Sequence, residues 1–273
     1  MLSVSADKDT DWLVTTREAV RYMGCAVVTD VLSASLVEEA REAMYRTQEL
    51  IREDIGQDRL SRAGEIGVLR LMPRYDSFFL NLLALPEMLA IVDETVSETA
   101  ILHLQNGFIL PPQDSATPAG FQHTFHRDFP RHLHGYVASV NVILTLDDFT
   151  ARNGGTLVVP GTHQRSERPE QAYLDACAAA VECPAGAMIV FDSTLWHAAG
   201  PNRSDRDRLA INHQFTRSFI KQQIDYVRAL DHGLILEQPP RVQQLLGWYT
   251  RVVTNLDEYY RPEEERLYKA GQG

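Results

Sequence analysis

Ile101–Leu110 reads ILHLQNGFIL, and the same texture returns in YVASVNVILTL at Tyr136–Leu146, GTLVVPG at Gly155–Gly161, GAMIVFD at Gly186–Asp192 and RLAINHQFT at Arg208–Thr216. These are short apolar or alternating runs punctuated by Gly, Pro, Asn and Asp. Such a run fits a strand, with alternate side chains on opposite faces. Several of them at close spacing, without long helices between, point to a sandwich or barrel and away from a doubly wound α/β sheet.

Upstream the periodicity changes. Residues 12–23 predict a short helix ending near Gly24, and CAVVTDVL after it predicts a strand. Ser35 and Glu38 have the spacing of a capping box, and Leu36, Val37, Ala40 and Met44 recur at helical intervals toward Asp54. The polar run from Gly56 to Gly67 predicts a loop, and Pro86 to about Val96 a further helix with proline in its first turn. Helical texture returns after Lys221 in VQQLLGWYTRVVTNLDEYY, and the charged end RPEEERLYKAGQG predicts fraying. Residues 1–10 read as a loose polar leader without the basic start and apolar stretch of a signal peptide. The expected organisation is one domain over 1–273: N-terminal helices at about 12–96, a β core at about 100–217 and a C-terminal helical extension at 218–273.

Of 273 residues, 44% are hydrophobic and 23% charged, enough to bury a sizeable core. The net charge of −11 argues against nucleic acid or an anionic membrane as partner. No apolar run approaches the roughly 18 residues of a membrane span. Cys25, Cys177 and Cys183 are odd in number and widely spaced, so neither a disulfide framework nor a structural zinc site is expected, and a reduced, cytoplasmic setting fits.

The chemistry concentrates in FHRDFP, residues 125–130. In a strand, residues two apart share a face, so His126 and Asp128 project together with Arg127 turned away. One imidazole and one carboxylate make two-thirds of the two-His-one-carboxylate triad of non-haem iron sites. Alone, the pair reads equally as surface residues. A third ligand is available at His197, where GAMIVFDSTLWHAAGPN runs strand, turn, Trp196-His197 and Gly-Pro loop. His197 taken alone reads as a core histidine beside Trp196 that satisfies a buried backbone group. His123, His132 and His134 flank the motif and compete by proximity, although none has the H-x-D alternation.

Three further stretches carry a family resemblance. FHRDFP, then LTLDDFTARNGGTLVVPGTH at 144–163, then VFDSTLWHAAGPNRSDRDRLAINHQF at 190–215, preceded by CAVVTDVLSASLVEEA at 25–40, resemble the phytanoyl-CoA dioxygenase family of iron(II)- and 2-oxoglutarate-dependent oxygenases in order and separation. The resemblance spans roughly residues 15–217. It implies a double-stranded β-helix, the jelly-roll, cupin-like core, with flanking helices. It implies Fe(II) held by His126, Asp128 and His197 as the catalytic metal centre. It also implies an arginine on the next strand that grips the far carboxylate of 2-oxoglutarate, since guanidinium presents a planar donor pair. That arginine is Arg208, with Arg206 as the near competitor and Arg203 further off.

Gln105 and Thr124 are additional candidates for contact with the cosubstrate, and Arg127 and Arg131 for contact with substrate, each with packing or a wet loop as the alternative. Ala199 and Leu144 depart from the family, which often has a hydrogen-bond donor and an aromatic residue there. Asn153-Gly154-Gly155 and Pro160-Gly161 are turn signals that shape the core, the first between two strands of a hairpin. The reaction implied is oxidation, chiefly hydroxylation, of a small-molecule metabolite, with O2 and 2-oxoglutarate consumed and succinate and CO2 formed. Asp128 argues against halogenation, because related halogenases lack that carboxylate. Bacterial tailoring chemistry and a monomer or homodimer are the expectations. A catalytically silent binding module and a metalloenzyme without 2-oxoglutarate are the competing readings.

Overall fold

The computed structural model describes residues 1–113, 121–248, 253 and 255–266. The chain opens with strand β1 (Ser3–Ser5), which pairs in parallel with β2 (Cys25–Thr29) across helix α1 (Trp12–Met23). Residues 1–10 are therefore not a loose leader: Ser3, Val4 and Ser5 sit opposite Val27, Val28 and Thr29 on a sheet edge. Gly24 ends α1 at φ 89°, in the left-handed region that glycine enters without a Cβ penalty.

Helix α2 (Ala34–Ile55) starts two residues earlier than the Ser35–Glu38 spacing suggests. Ser33 has extended backbone and its hydroxyl accepts from Leu36 N, whereas Ser35 is already inside the helix. Val37, Ala40, Met44 and Ile51 form its buried stripe. Helix α3 (Gln57–Ala63) replaces the expected loop. It buries no residue, so it has no apolar stripe for periodicity to detect. Strand β3 (Val68–Arg70), the short helix α4 (Phe78–Asn81) and helix α5 (Pro86–Thr95) lead into the β core.

The core comprises β4 (Ile101–Leu110), β5 (Ser139–Thr145), β6 (Thr156–Val158), β7 (Ala179–Ala180), β8 (Met188–Asp192), β9 (His197–Ala199) and β10 (Arg208–Thr216); helix α6 (Gln171–Cys177) precedes β7. A seven-stranded sheet runs β1-β2-β8-β5-β10-β4-β3, and a three-stranded sheet runs β7-β6-β9. One apolar cluster lies between the large sheet and the helices, including Val140, Val142, Leu144, Leu209 and Ile211. A second includes residues of both sheets, among them Ile143, Val158, Phe191 and Ala210. The β texture read from the sequence is present, with helices flanking it.

The Asn153-Gly154-Gly155 turn is not a hairpin. β5 lies in the large sheet and β6 in the small one, so the segment crosses between sheets. Gly154 has φ 83°, and a Cβ there would lie 2.7 Å from the Gly200 carbonyl oxygen, so the crossing requires glycine. After β10 come three short helices, α7 (Tyr226–Ala229), α8 (His232–Leu236) and α9 (Pro240–Leu245), separated at residues 230–231 and 237–239. They pack on the core: Tyr226 is buried and its hydroxyl accepts from Gln105 N at 2.9 Å. Trp248 packs against the same cluster, while Tyr249 and residues 267–273 of the end expected to fray over 261–273 lie outside the described residues. A last short helix, α10, spans Leu256–Tyr259. Among the described residues no helix is long and apolar enough to cross a membrane.

Candidate metal centre

His126 and His197 are far apart in sequence and joined by backbone. They form an antiparallel bridge in which His126 N donates to His197 O at 3.0 Å and His197 N donates to His126 O at 3.1 Å. Such a hydrogen-bonded pair sets both side chains on one face, and the ring centroids are 4.4 Å apart. Phe129 N donates to Ser193 O, so FHRDFP is held as an isolated bridge and a turn rather than as a strand. Asp128 still reaches the two imidazoles. His126 Nε2 lies 3.3 Å from Asp128 Oδ1, and His197 Nε2 lies 3.6 Å from Asp128 Oδ2. One ligand atom from each residue falls within 4.8 Å of the others, which suits a single ion.

The tautomers fit the same purpose. His126 Nδ1 is 2.8 Å from the Thr124 carbonyl, and His197 Nδ1 is 2.9 Å from the Leu195 carbonyl. A carbonyl only accepts, so both Nδ1 atoms carry hydrogen and both Nε2 lone pairs face Asp128. Burial pushes the His197 imidazole below its ordinary value, favouring the neutral ligand form. Burial acts to raise Asp128, but the adjacent His197 and His126 and the Asn141 amide outweigh it and hold the carboxyl below its usual range.

The triad opens into a cavity of about 360 Å³ that Arg208 also lines. Arg208 begins β10 and is 5% exposed. Its Nη2 donates to the Gly154 carbonyl at 2.9 Å, its guanidinium stacks over Phe149 at 4.4 Å, and its buried Nε has no partner. Burial lowers its pKa to about 10, so the group stays cationic at neutral pH. Among the described residues no carboxylate pairs with it. Arg203 and Arg206 are exposed and outside this cavity.

The other sequence candidates lie elsewhere. Gln105 is buried on the helix side of β4, where Nε2 donates to the Phe79 carbonyl and meets His213 Nε2 at 2.9 Å. Thr124 has an exposed side chain, and it is its carbonyl that holds His126. Arg127 touches the cavity wall, but its guanidinium donates to the Ser166 carbonyl at 3.0 Å and stacks over Trp196 at 5.0 Å. Arg131 is exposed and outside the cavity. Of the competing histidines, His123 joins the cavity wall through the Ala199 carbonyl, whereas His132 bonds the His163 carbonyl away from the triad.

Sequence reasoning missed Asn141, fully buried in β5, whose Nδ2 donates to Asp128 Oδ2 at 2.7 Å. The available signal was a polar residue at an alternating position of SVNVILT.

The chain is similar along its whole length to proteins of Mycobacterium tuberculosis and Mycobacterium bovis, with 59% identity over 274 residues and full coverage of both chains; neither is characterised. It is 28% identical over 175 residues to the dioxygenase andF of Emericella variicolor, covering 64% of this chain and 56% of that protein. Among solved structures, the nickel complex of the non-haem monooxygenase ThoJ superposes with a TM-score of 0.59 at 20% identity, covering 77% of this chain and 80% of that one. AviO1 from Streptomyces viridochromogenes gives 0.58 at 19% identity, covering 77% and 96%. These likenesses place the two-sheet core among jelly rolls. The family model for phytanoyl-CoA dioxygenase (PhyH) matches residues 20–210, from within the first helix into the strand that carries Arg208, and the chain accordingly belongs to the phytanoyl-CoA dioxygenase family of oxygenases.

Proposed function

We propose that this chain is an Fe(II)- and 2-oxoglutarate-dependent dioxygenase that hydroxylates a small-molecule metabolite. The observation that carries the reading is Arg208: a buried cation, without an acidic partner among the described residues, lining the cavity of the triad. A buried charge left unpaired is costly, so the site fits an anionic ligand. The donor set of two imidazoles and one carboxylate suits iron with open positions. When bound, iron and 2-oxoglutarate supply the oxidising chemistry, with succinate and CO2 as co-products.

The chain's own residues do the rest. Gly154 O and the Phe149 ring fix the guanidinium plane, and the open donors of Arg208 grip and orient the distal carboxylate. The Thr124 and Leu195 carbonyls hold the ligand imidazoles in the coordinating tautomer, and Asn141 fixes one Asp128 oxygen. Ile143 and Phe191 make the inner wall apolar, which excludes water from the reacting centre. With Asp128 present, transfer of oxygen is favoured over transfer of halide.

Anaerobic titration with Fe(II) and 2-oxoglutarate tests this. The wild-type chain should develop the weak visible band of a chelated iron complex, and Arg208→Ala should lose it together with succinate formation. A chain without that band is a silent binding module. Turnover that survives Arg208→Ala marks a metalloenzyme independent of 2-oxoglutarate.

A further inference from the structure

The outer wall of the cavity carries a hydrogen-bond chain whose direction is fixed from one end. Asp128 Oδ2 can only accept, so the Asn141 side chain turns its amide nitrogen toward it at 2.7 Å. The same nitrogen lies 3.1 Å from Asn212 Oδ1. The Ser193 hydroxyl donates to Asn141 Oδ1, which spends its hydrogen. Ser139 Oγ, 2.7 Å from Ser193 Oγ, must then be the donor of that pair. Gln214 Nε2 completes the chain by donating to Ser139 Oγ at 3.0 Å. The five residues that this chain links to Asp128 through Asn141 are all buried.

The consequence lies at the open ends. Asn212 has its oxygen occupied and Gln214 its nitrogen, and both side chains line the cavity. Asn212 Nδ2 and Gln214 Oε1 have no partner among the described residues, and neither is sealed from solvent. The two residues are two apart on β10, so they share a face at a separation of roughly 6–7 Å. The cavity therefore presents one oriented donor and one oriented acceptor. Beside them on β4, Leu104, opposite Gln214, adds an apolar face to the lining.

Among the described residues, the two arginines that line the cavity besides Arg208 are both engaged. Arg70 is paired through two nitrogens with Glu65, and the Arg127 guanidinium is turned to backbone carbonyls. A charged substrate would find no counter-ion there, and a hydrocarbon would leave both amide ends unpaired. A ring with hydroxyls at its rim and C–H groups on its face satisfies all three features.

We propose that the outer cavity binds an uncharged, polyhydroxylated, sugar-like substrate, with Asn212 as donor and Gln214 as acceptor. The proposal rests on the oxygenase reading above, which reserves the Arg208 end for 2-oxoglutarate. Saturation-transfer NMR on the full chain, with methyl hexopyranosides as probes and octanoate as the contrast, tests it without iron or turnover. Transfer to the hexopyranosides and not to octanoate is expected, with loss of the signal in Asn212→Leu and Gln214→Leu. Should those buried variants misfold, Gln223→Ala on the exposed rim of the same cavity should weaken hexopyranoside binding at least threefold. No transfer to hexopyranosides, transfer to octanoate alone, or undiminished binding by folded variants overturns the proposal. A chain that binds hexopyranosides but shows no visible band with iron and 2-oxoglutarate refutes the cosubstrate reading alone. The reverse pattern refutes only this one.

Discussion

The two faces of the large sheet are built by the same strands and differ in kind. On β5, Val140, Val142 and Leu144 face the helices, while Ser139, Asn141 and Ile143 face the small sheet. On β10, Leu209 and Ile211 face the helices, while Arg208, Asn212 and Gln214 face the cavity. Both faces are buried, so burial does not separate them. The helix face is filled mainly by apolar packing, with the buried Gln105–His213 pair embedded in it. The cavity face sets apolar Ile143 and Ala210 among polar side chains whose directed hydrogen bonds converge on Asp128, the candidate carboxylate ligand. Stability lives on one side of the sheet and chemistry on the other.

Substitutions can break that division. The largest effect is expected at the triad: Asp128→Ala should abolish iron retention and succinate formation, measured by metal analysis and turnover, with a folded circular-dichroism spectrum. On the helix face, Leu144→Ala removes a fully buried side chain and should cost about 2–5 kcal/mol of unfolding free energy in denaturant titration. Its metal affinity should not change. On the cavity face, Asn141→Leu should weaken metal binding by about 10- to 100-fold, as expected when a ligand loses its orienting partner. If Leu144→Ala instead weakened metal binding as much, the two faces would not be separable.

The smallest effect sharpens the comparison through pH. His213, on the helix face beside Gln105, is pushed down to about 3 by burial. Unfolded, an imidazole titrates near pH 6.5. Between these values the unfolded chain binds a proton that the native chain does not, so stability falls as pH drops through that window. The slope from this residue is at most about 1.4 kcal/mol per pH unit. His213→Leu should flatten the pH dependence of the denaturant midpoint from pH 6.5 down to 4. An unchanged slope would show that His213 is not the acid-sensitive group of that face.

Much of this was legible in the chain. Short apolar or alternating runs marked β4, β5, β8 and β10, because strands buried on both faces read as continuous apolar runs and strands with two chemically different faces alternate. H-x-D and the Trp196-His197 turn marked the ligands, and Arg208 stood at the head of an apolar strand. Other features were not legible. Helix α3 has no buried face, so no pattern announces it. Ser33 and Ser35 are both competent caps, and only the backbone angles choose between them. The Asn153-Gly154-Gly155 signal is a true turn, but a turn signal does not say whether the flanking strands share a sheet. Gln105 and Asn141 are both polar residues in apolar strands, and only the direction of the strand's pleat sends one to the helices and the other to Asp128.

The sequence by itself determined the β texture and the flanking helices, because these rest on local periodicity, and its resemblance to a family singled out His126, Asp128 and His197 as the candidate ligands. The tertiary structure alone decided that His126 and His197 meet through a backbone bridge, that Arg208 is buried without a counter-ion among the described residues, and which end of each amide faces the cavity. Those facts depend on pairing between distant segments and on the direction of individual hydrogen bonds, and neither is encoded in the spacing of residues along one strand.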